Sequence, residues 1–365
     1  MKLLCDRHQL QEAFSIVAGI VPQKSPKPIL QNVLLRADKD SVTFFATDGE
    51  MAARVTVDSV KVSKPGKVLL PAREAGALLR ELSDPTLTLE SKEFRCHIEC
   101  GGGSFILLGE DPELYPLEKA YDSQHKLVVE AGKLLDMLKR TTFAVARDES
   151  RYAVQGELFE VKDSSLRLVA TDGRRLSLCY LNLDGDDRPV RAIVPVRILQ
   201  ALMRAIPEGS KEALTLLFSG TQIGFQIGKT LLVSRLLDAT FPEYENVIPK
   251  SADTTVELNK ALLESNLRKV AVLSDGDTRM VRFQFSSSSL QLSAEASSKG
   301  RGDIVMDVDV KGPGVTLGFD PDFFLEGLRT SELEVVTMSV GDDTTPAKLT
   351  LGESHTYIVM PISGS

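Results

Sequence analysis

The sequence predicts an α+β chain made of three copies of one unit, each with two helices packed on one side of antiparallel sheets. Three observations carry this. Ala46–Gly49 and Ala170–Gly173 both read ATDG, 124 residues apart. Other segments align at the same offset without a gap: Lys2–Leu4 falls on Lys126–Val128, and LLPAREAGALLREL from Leu69 falls on IVPVRILQALMRAI from Ile193, so Pro71 and Pro195 also differ by 124. A fainter third copy follows. TTVELNKALLESNLRKVAVL from Thr254 resembles the segment from His125, and VTLGFDPDFFLEGLRT from Val315 puts Phe319 a further 124 residues past Pro195. Such periodicity marks repeated structural units.

The 365 residues then divide into three units of ordinary domain size. The polar, breaker-containing stretches PLEKAYDSQ (Pro116–Gln124) and IPKSADT (Ile248–Thr254) are the joints. The expected domains are residues 1–119, 120–250 and 251–365. Within each unit a short alternating strand (KLLC, KLVV, TVEL) leads into an amphipathic helix. In LLDMLKRTTFAV the apolar Leu134, Leu135, Leu138, Phe143 and Val145 keep helical spacing. Alternating strands follow (SVTFFA, SLRLVA, VRFQF), then a second helix and a second strand set (LTLES, FRCHIEC, LTLLFSG, QIGFQIG). The expected order is β-α-β-β-β, done twice per unit. Helices are expected at 6–20, 72–82, 131–145, 195–206, 259–273 and 320–330.

Composition narrows the class. A hydrophobic fraction of 42% is that of a globular chain rather than a disordered one. No apolar run reaches the length of a membrane span. The start MKLLCDRHQLQEAF turns charged within six residues, so a signal peptide is not expected there. Cys5, Cys96, Cys100 and Cys179 form no disulfide framework, so a reducing cytoplasm is expected. The net charge of −8 argues against a surface that binds nucleic acid everywhere. Charge is segregated, however. The predicted helices carry twelve basic residues (Arg7, Arg73, Arg80, Lys133, Lys139, Arg140, Arg197, Arg204, Lys260, Arg268, Lys269 and Arg329) against nine acidic ones. That is either ordinary solvated helix surface or a positive face made only of helices, suited to phosphates.

Catalytic and metal signatures are missing. In IGFQIGKT (Ile223–Thr230) only three residues separate Gly224 from Gly228, one short of a phosphate loop. Alternating strands flank it, so it reads as a hairpin. DGDDR (Asp184–Arg188) lacks calcium-loop spacing and reads as a solvated loop. Cys96 and Cys100 have no paired Cys/His set for zinc. His8, His97, His125 and His355 share no motif. Arg301-Gly302-Asp303 reads as a chance triplet in a polar loop, and Gly101–Ser104 as a tight turn. Asp48 and Asp172 end apolar strands before Gly, a hairpin-turn signal that recurs in two units rather than marking one catalytic site. No cofactor or metal is expected.

Several longer segments, FATDG (Phe45–Gly49), RYAVQGELFE (Arg151–Glu160), VATDGRRLS (Val169–Ser177), FPEYENVIP (Phe241–Pro249) and YIVMPI (Tyr357–Ile362), resemble those of the bacterial DNA polymerase III beta subunits, the DNA sliding clamps. The resemblance spans the whole chain. It implies a non-catalytic processivity factor: a head-to-tail homodimer closing a six-domain ring, with helices lining the hole around double-stranded DNA. The implied partners are the polymerase III alpha subunit, the clamp loader and other proteins carrying a clamp-binding peptide, with no membrane role. The family's hydrophobic peptide cleft, between domains two and three, falls on Val154, Thr171, Gly173, Arg174, Arg175, Leu176, Pro242, Val247, Ile358, Val359, Met360, Pro361 and Ile362. DNA contacts fall on Lys24, Arg73, Tyr152, Arg197 and Arg204. The dimer interface falls on Phe105 and Leu107 against Val272 and Leu273. Arg174 stands where the family usually has His, and Lys24 where Arg is common. An enzyme built on repeats and a monomeric peptide-binding scaffold are the rival readings.

Overall fold

One strand runs into one helix and three strands follow, six times along the chain. The computed structural model describes all residues except 59, 119–120, 147–153, 186–187, 275–278 and 363–365. The first repeat contains β1 (Lys2–Asp6), α1 (Arg7–Ala18), β2 (Asn32–Asp38), β3 (Ser41–Thr47), β4 (Met51–Asp58), β5 (Lys61–Lys64), β6 (Gly66–Pro71), α2 (Ala72–Glu81), β7 (Thr86–Lys92), β8 (Arg95–Cys100) and β9 (Gly103–Leu108). The second contains β10 (His125–Glu130), α3 (Ala131–Thr141), β11 (Gly156–Lys162), β12 (Ser165–Thr171), β13 (Arg175–Asn182), β14 (Val190–Pro195), α4 (Val196–Ala205), β15 (Ala213–Phe218), β16 (Gln222–Ile227) and β17 (Thr230–Arg235). The third contains β18 (Thr254–Asn259), α5 (Lys260–Ala271), β19 (Val281–Ser286), β20 (Ser289–Ala296), β21 (Gly300–Asp307), β22 (Val310–Lys311), β23 (Val315–Phe319), α6 (Pro321–Leu328), β24 (Val335–Val340), β25 (Ala347–Gly352) and β26 (His355–Val359).

Three of the strand-to-helix corners are made by side chains. Asp6, Asn259 and Asp320 accept the backbone N–H of Gln9, Leu262 and Asp322, each at 2.9 Å. A cap of this kind contributes about 1 kcal/mol. Asp6 and Asp320 therefore sit outside the helices, which leaves the helices proper more basic than the sequence boundaries imply. The helix expected to reach residue 145 stops at Thr141. There the hydroxyls of Thr141 and Thr142 bond back to the carbonyls of Met137 and Leu138 (2.8 and 2.7 Å), and a 3₁₀ turn replaces the last α turn.

The chain divides into two compact units: Met1–Leu135 with Val194–Leu236, and Asp136–Ile193 with Leu237–Ser365. The first unit holds a five-stranded sheet ordered β5-β1-β7-β8-β9 and an eight-stranded sheet ordered β10-β15-β16-β17-β4-β3-β2-β6. The second holds a nine-stranded sheet ordered β14-β11-β12-β13-β26-β25-β24-β18-β22 and a four-stranded sheet ordered β21-β20-β19-β23. In each unit one antiparallel pair joins two repeats. β4 pairs with β17 (Ala53↔Leu232), and β13 pairs with β26 (Ser177↔Tyr357). Both times the fourth strand of one repeat meets the last strand of the next.

The cores follow from the helical apolar stripes. Leu10, Ala13, Phe14 and Val17 of α1 are buried, and Phe14 meets Phe44 of β3 edge-on at 6.3 Å. In the other unit Phe283, Phe319 and Phe324 form an aromatic knot with centroids 4.9 to 5.2 Å apart.

Two expectations need correction. Arg301-Gly302-Asp303 lies in strand β21, paired to Glu295, Ala294 and Ser293, not in a loop. Polar residues alternating on an edge strand look like loop sequence because only one face needs to be apolar. The short strands β5 and β22 were also not expected. The segment Ile223–Thr230 is indeed a hairpin, with Gly228 at φ 49° in its turn. Asp184–Arg188 lies partly outside the described residues.

Candidate functional site

The two ATDG segments are hairpin turns of identical construction. Asp48 Oδ1 accepts the N–H of Glu50 (3.0 Å) and Met51 (2.8 Å), and Gly49 takes φ 98°. Asp172 Oδ1 accepts the N–H of Arg174 (2.9 Å) and Arg175 (3.1 Å), and Gly173 takes φ 84°. The second carboxylate oxygen of each turn holds an arginine. Asp48 Oδ2 accepts Arg197 Nη1 at 3.0 Å, and Asp172 Oδ2 accepts Arg175 Nε at 3.0 Å. These aspartates build the turn and anchor a cation, so neither is free for chemistry.

Four of the five expected DNA residues lie in the first unit, where α1 packs on both α2 and α4. Lys24, after α1, and Arg73, on α2, are exposed and form no ion pair among the described residues. Arg197, at the start of α4, also donates to the Ile20 carbonyl at 3.0 Å. It is thus partly neutralised and fixed. The Arg204 guanidinium lies so close over Gly19 that a Cβ there would collide with it, and partial burial lowers its pKa. Tyr152 lies outside the described residues.

The residues expected in the peptide cleft all fall in the second unit. Val154, Leu176 and Ile358 share one small apolar cluster with Phe241 and Tyr244. Thr171 Oγ1 donates to the Arg175 carbonyl (2.6 Å) and accepts from the Gly173 N–H (3.0 Å). The tail first continues the β13–β26 ladder, Met360 N–H donating to the Arg174 carbonyl (2.8 Å), and then reaches β23, where Ile362 N–H donates to the Gly318 carbonyl (2.8 Å). Met360, Pro361 and Ile362 are half-buried, Pro242, Gly173, Arg174 and Val247 are exposed, and Val359 is fully buried. Apolar side chains with one flexible Met are the composition of an adaptable peptide surface. Arg175 differs from its neighbours. It is only 6% exposed, and Nη1 reaches Glu326 Oε2 at 2.5 Å while Nη2 donates to the Phe143 carbonyl at 3.2 Å. Its guanidinium positions the turn rather than facing solvent.

The four residues expected at a subunit interface flank open sheet edges. Phe105 and Leu107 lie on β9, the edge of the five-stranded sheet, where Ile106 and Leu108 are exposed as well. Val272 is 68% exposed just after α5, and Leu273 packs against Gly302 of β21, the edge of the four-stranded sheet.

Sequence reading missed one buried polar group. Glu157 of β11 is fully buried and hydrogen-bonded to the Thr141 hydroxyl. Burial raises its pKa to about 8. His355, opposite Cys179 in the β13–β26 ladder, bonds to the Ser177 hydroxyl at 2.9 Å. Burial, then the nearby Arg140 charge, lowers its pKa to about 4. Burial pushes the Cys179 thiol to about 12, so Cys179 and His355 are no reactive pair.

These shifts set a pH profile. Glu157 contributes stability that is full below its usual 4.5 and is lost as pH rises through about 8. His355 contributes stability that is full above its usual 6.5 and is lost as pH falls through about 4. Where the windows overlap the two slopes cancel, and above it only Glu157 acts. Glu157→Gln is therefore expected to gain stability over the unaltered chain steadily from pH 5 to pH 8, by at most a few kcal/mol. Urea midpoints at pH 5, 6.5 and 8 measure this; an advantage that does not grow with pH refutes it.

The family model of the DNA polymerase III beta subunit matches this chain in three parts. Its N-terminal domain covers residues 1–122, its central domain 128–243 and its C-terminal domain 245–363. The beta sliding clamp of Chlamydia muridarum is 30% identical over 364 residues, 99% of each chain. That of Pseudomonas putida is 28% identical over 369 residues, 99% of this chain and 100% of its own. A sliding clamp (DNA polymerase III subunit beta) of Pseudomonas aeruginosa, crystallised bound to griselimycin, matches with a TM-score of 0.91 at 26% identity over 99% of both chains. The DNA polymerase III beta subunit of Thermotoga maritima shares the fold, with a TM-score of 0.94 at 23% identity over the full length of both. The chain belongs to the DNA polymerase III beta subunit family, the bacterial sliding clamps.

Proposed function

We propose that this chain is a processivity clamp. Two copies join head to tail into a closed ring around duplex DNA, with three domains (1–119, 120–250 and 251–365) from each copy. The ring catalyses nothing itself. It holds the replicative polymerase, and in turn the clamp loader and other partners, through the apolar surface around Leu176, Val247, Ile358 and Met360. The basic helices face phosphates, whose contacts carry no sequence information and so permit sliding.

The observation that carries this reading is the pair of unused edges. Twice within the chain the fourth strand of a repeat pairs with the last strand of the next, β4 with β17 and β13 with β26. The third repeat's fourth strand, β21, and the first repeat's last strand, β9, are left as edges. The same pairing applied between two copies joins the four-stranded sheet to the five-stranded sheet. It repeats a joint the chain already uses, and it covers an apolar edge that would otherwise invite aggregation.

Loading the protein on circular DNA and then linearising that DNA tests the reading. Protein should stay on the circle through gel filtration and be lost once ends are cut. Equal retention on both forms refutes topological linkage.

The DNA-facing residues should differ in weight. Arg73→Ala is expected to weaken DNA association and lower the slope of log K against log salt by about 1, since an unpaired cation releases a counterion on binding. Arg197→Ala should lower the slope less, because Asp48 already neutralises that guanidinium. Salt titrations by fluorescence anisotropy measure both, and equal slopes for the two variants would remove the distinction.

A further inference from the structure

The first unit contains a cavity of about 510 Å³ at the position that, one repeat later, holds the cleft residues. The correspondence is structural as well as sequential. Arg235 N–H donates to the Glu50 carbonyl at 3.0 Å, as Met360 N–H donates to the Arg174 carbonyl, and Glu50 precedes Arg174 by the repeat length of 124. Ala52 takes the place of Leu176 on the same offset. A methyl group where the second repeat has an isobutyl group leaves room over the sheet.

The floor is one face of the β4–β17 joint, where Val233 lies opposite Ala52 and Leu231 opposite Arg54. One wall is the Tyr121 ring, fixed by hydrogen bonds from its hydroxyl to the carbonyls of Leu217 (2.7 Å) and Gln222 (3.2 Å). Leu117, 90% exposed, overhangs the opening. The volume is that of an ordinary ligand pocket, about 300–1,000 Å³. Most rim charges are already matched: Arg54 with Glu118 at 2.9 Å, Arg235 with Glu50 at 3.9 Å, and Asp48 with Arg197 at 3.0 Å. Lys27 is exposed and has no ion pair among the described residues. A cavity with Ala52, Leu231 and Val233 in its floor and one unmatched cation at its rim fits a ligand with an apolar body and one carboxylate.

We propose that this cavity is a second docking site, for a short extended peptide that places two adjacent apolar side chains over Ala52, Leu231 and Val233 and an acidic side chain on Lys27. The peptide class rests on the reading of the second-unit surface as a peptide cleft, whereas the cavity and its charge do not. Partners could then engage one chain at two points, with the gain in avidity that linked sites give.

The test uses the full-length chain and the peptide acetyl-Asp-Leu-benzoylphenylalanine amide, whose benzophenone crosslinks where it sits. Photolysis followed by mass spectrometry should find adducts within residues 45–54 or 231–235. Ala52→Trp, which fills the cavity, should abolish those adducts and spare any at 171–176 or 358–362. Lys27→Glu, on the exposed rim and so safe for folding, should weaken labelling of the first-unit site about threefold. Adducts confined to the second unit, no adducts at all, or first-unit adducts indifferent to Lys27→Glu would each overturn the proposal. Adducts confined to the first unit would support it and count against the second-unit cleft.

Discussion

Replacing Phe105 and Leu107 together by Lys is expected to turn the proposed dimer of about 80 kDa into a monomer of 39.9 kDa at micromolar concentration. The reasoning starts from β9. Its four consecutive apolar residues, Phe105 to Leu108, lie on a sheet edge, with Ile106 52% and Leu108 69% exposed. An exposed apolar edge with unpaired backbone groups is a template for another strand, and natural proteins that need a free edge place charge on it. Here charge is lacking, so the edge is built to be covered. Two buried ammonium groups with no partner would each cost several kcal/mol at the interface. That suffices to raise the dimer dissociation constant by more than a hundredfold. Because neither side chain is part of the buried core, the monomer should stay folded. It should lose retention on circular DNA yet keep its peptide affinity, since the proposed cleft lies wholly in the other unit. Native mass spectrometry reads the mass directly. A double variant that remains a dimer would place the interface elsewhere.

The sequence reading succeeded where a physical rule is local and failed where it is not. Helix starts were legible to within a residue or so because the repeat aligns the strand-to-helix corners, but Asp6, Asn259 and Asp320, placed inside the helices by that reading, are caps just before them. The ATDG turns were legible because Asp-Gly marks a tight hairpin, and the repeat made one turn vouch for the other. Arg175 was not. Arg174 and Arg175 look equivalent in sequence, but strand alternation turns the first to solvent and the second inward, toward a glutamate 151 residues away. The Arg197–Asp48 pair, 149 residues apart, escaped for the same reason. Nothing in the sequence marks Glu157 as buried, and its burial on β11 follows only from what α3 brings over it. Charge counted along the chain therefore located the helices as basic without distinguishing cations that are free, such as Arg73, from those already spent, such as Arg197.

Arg175→Ala is expected to be the most damaging single change in the second unit. The guanidinium ties together three parts of the fold. Nε holds Asp172 in the turn before β13, Nη1 holds Glu326 on α6, and Nη2 satisfies the Phe143 carbonyl after α3. Its plane also lies against the rings of Phe323 (4.7 Å) and Phe143 (5.4 Å). Removing one partner of a buried ion pair costs about 3–5 kcal/mol, because the remaining charge is left without a counterion. Half-exposed Glu326 can recover some of this by turning to water, whereas the Phe143 carbonyl cannot follow it. Arg175→Lys keeps the charge but loses the planar fork, so it should fall between Ala and the original residue. The damage should be local before it is global, since Asp172 shapes the turn that carries Thr171, Gly173, Arg174 and Leu176. Amide hydrogen exchange should accelerate at 171–177 and 322–328 in Arg175→Ala, and peptide affinity at the proposed cleft should fall by more than tenfold although the side chain itself is buried. Arg174→Ala, which removes an exposed side chain and leaves the network intact, should leave exchange unchanged. If both variants leave exchange at 171–177 as it was, the guanidinium network does not hold the turn.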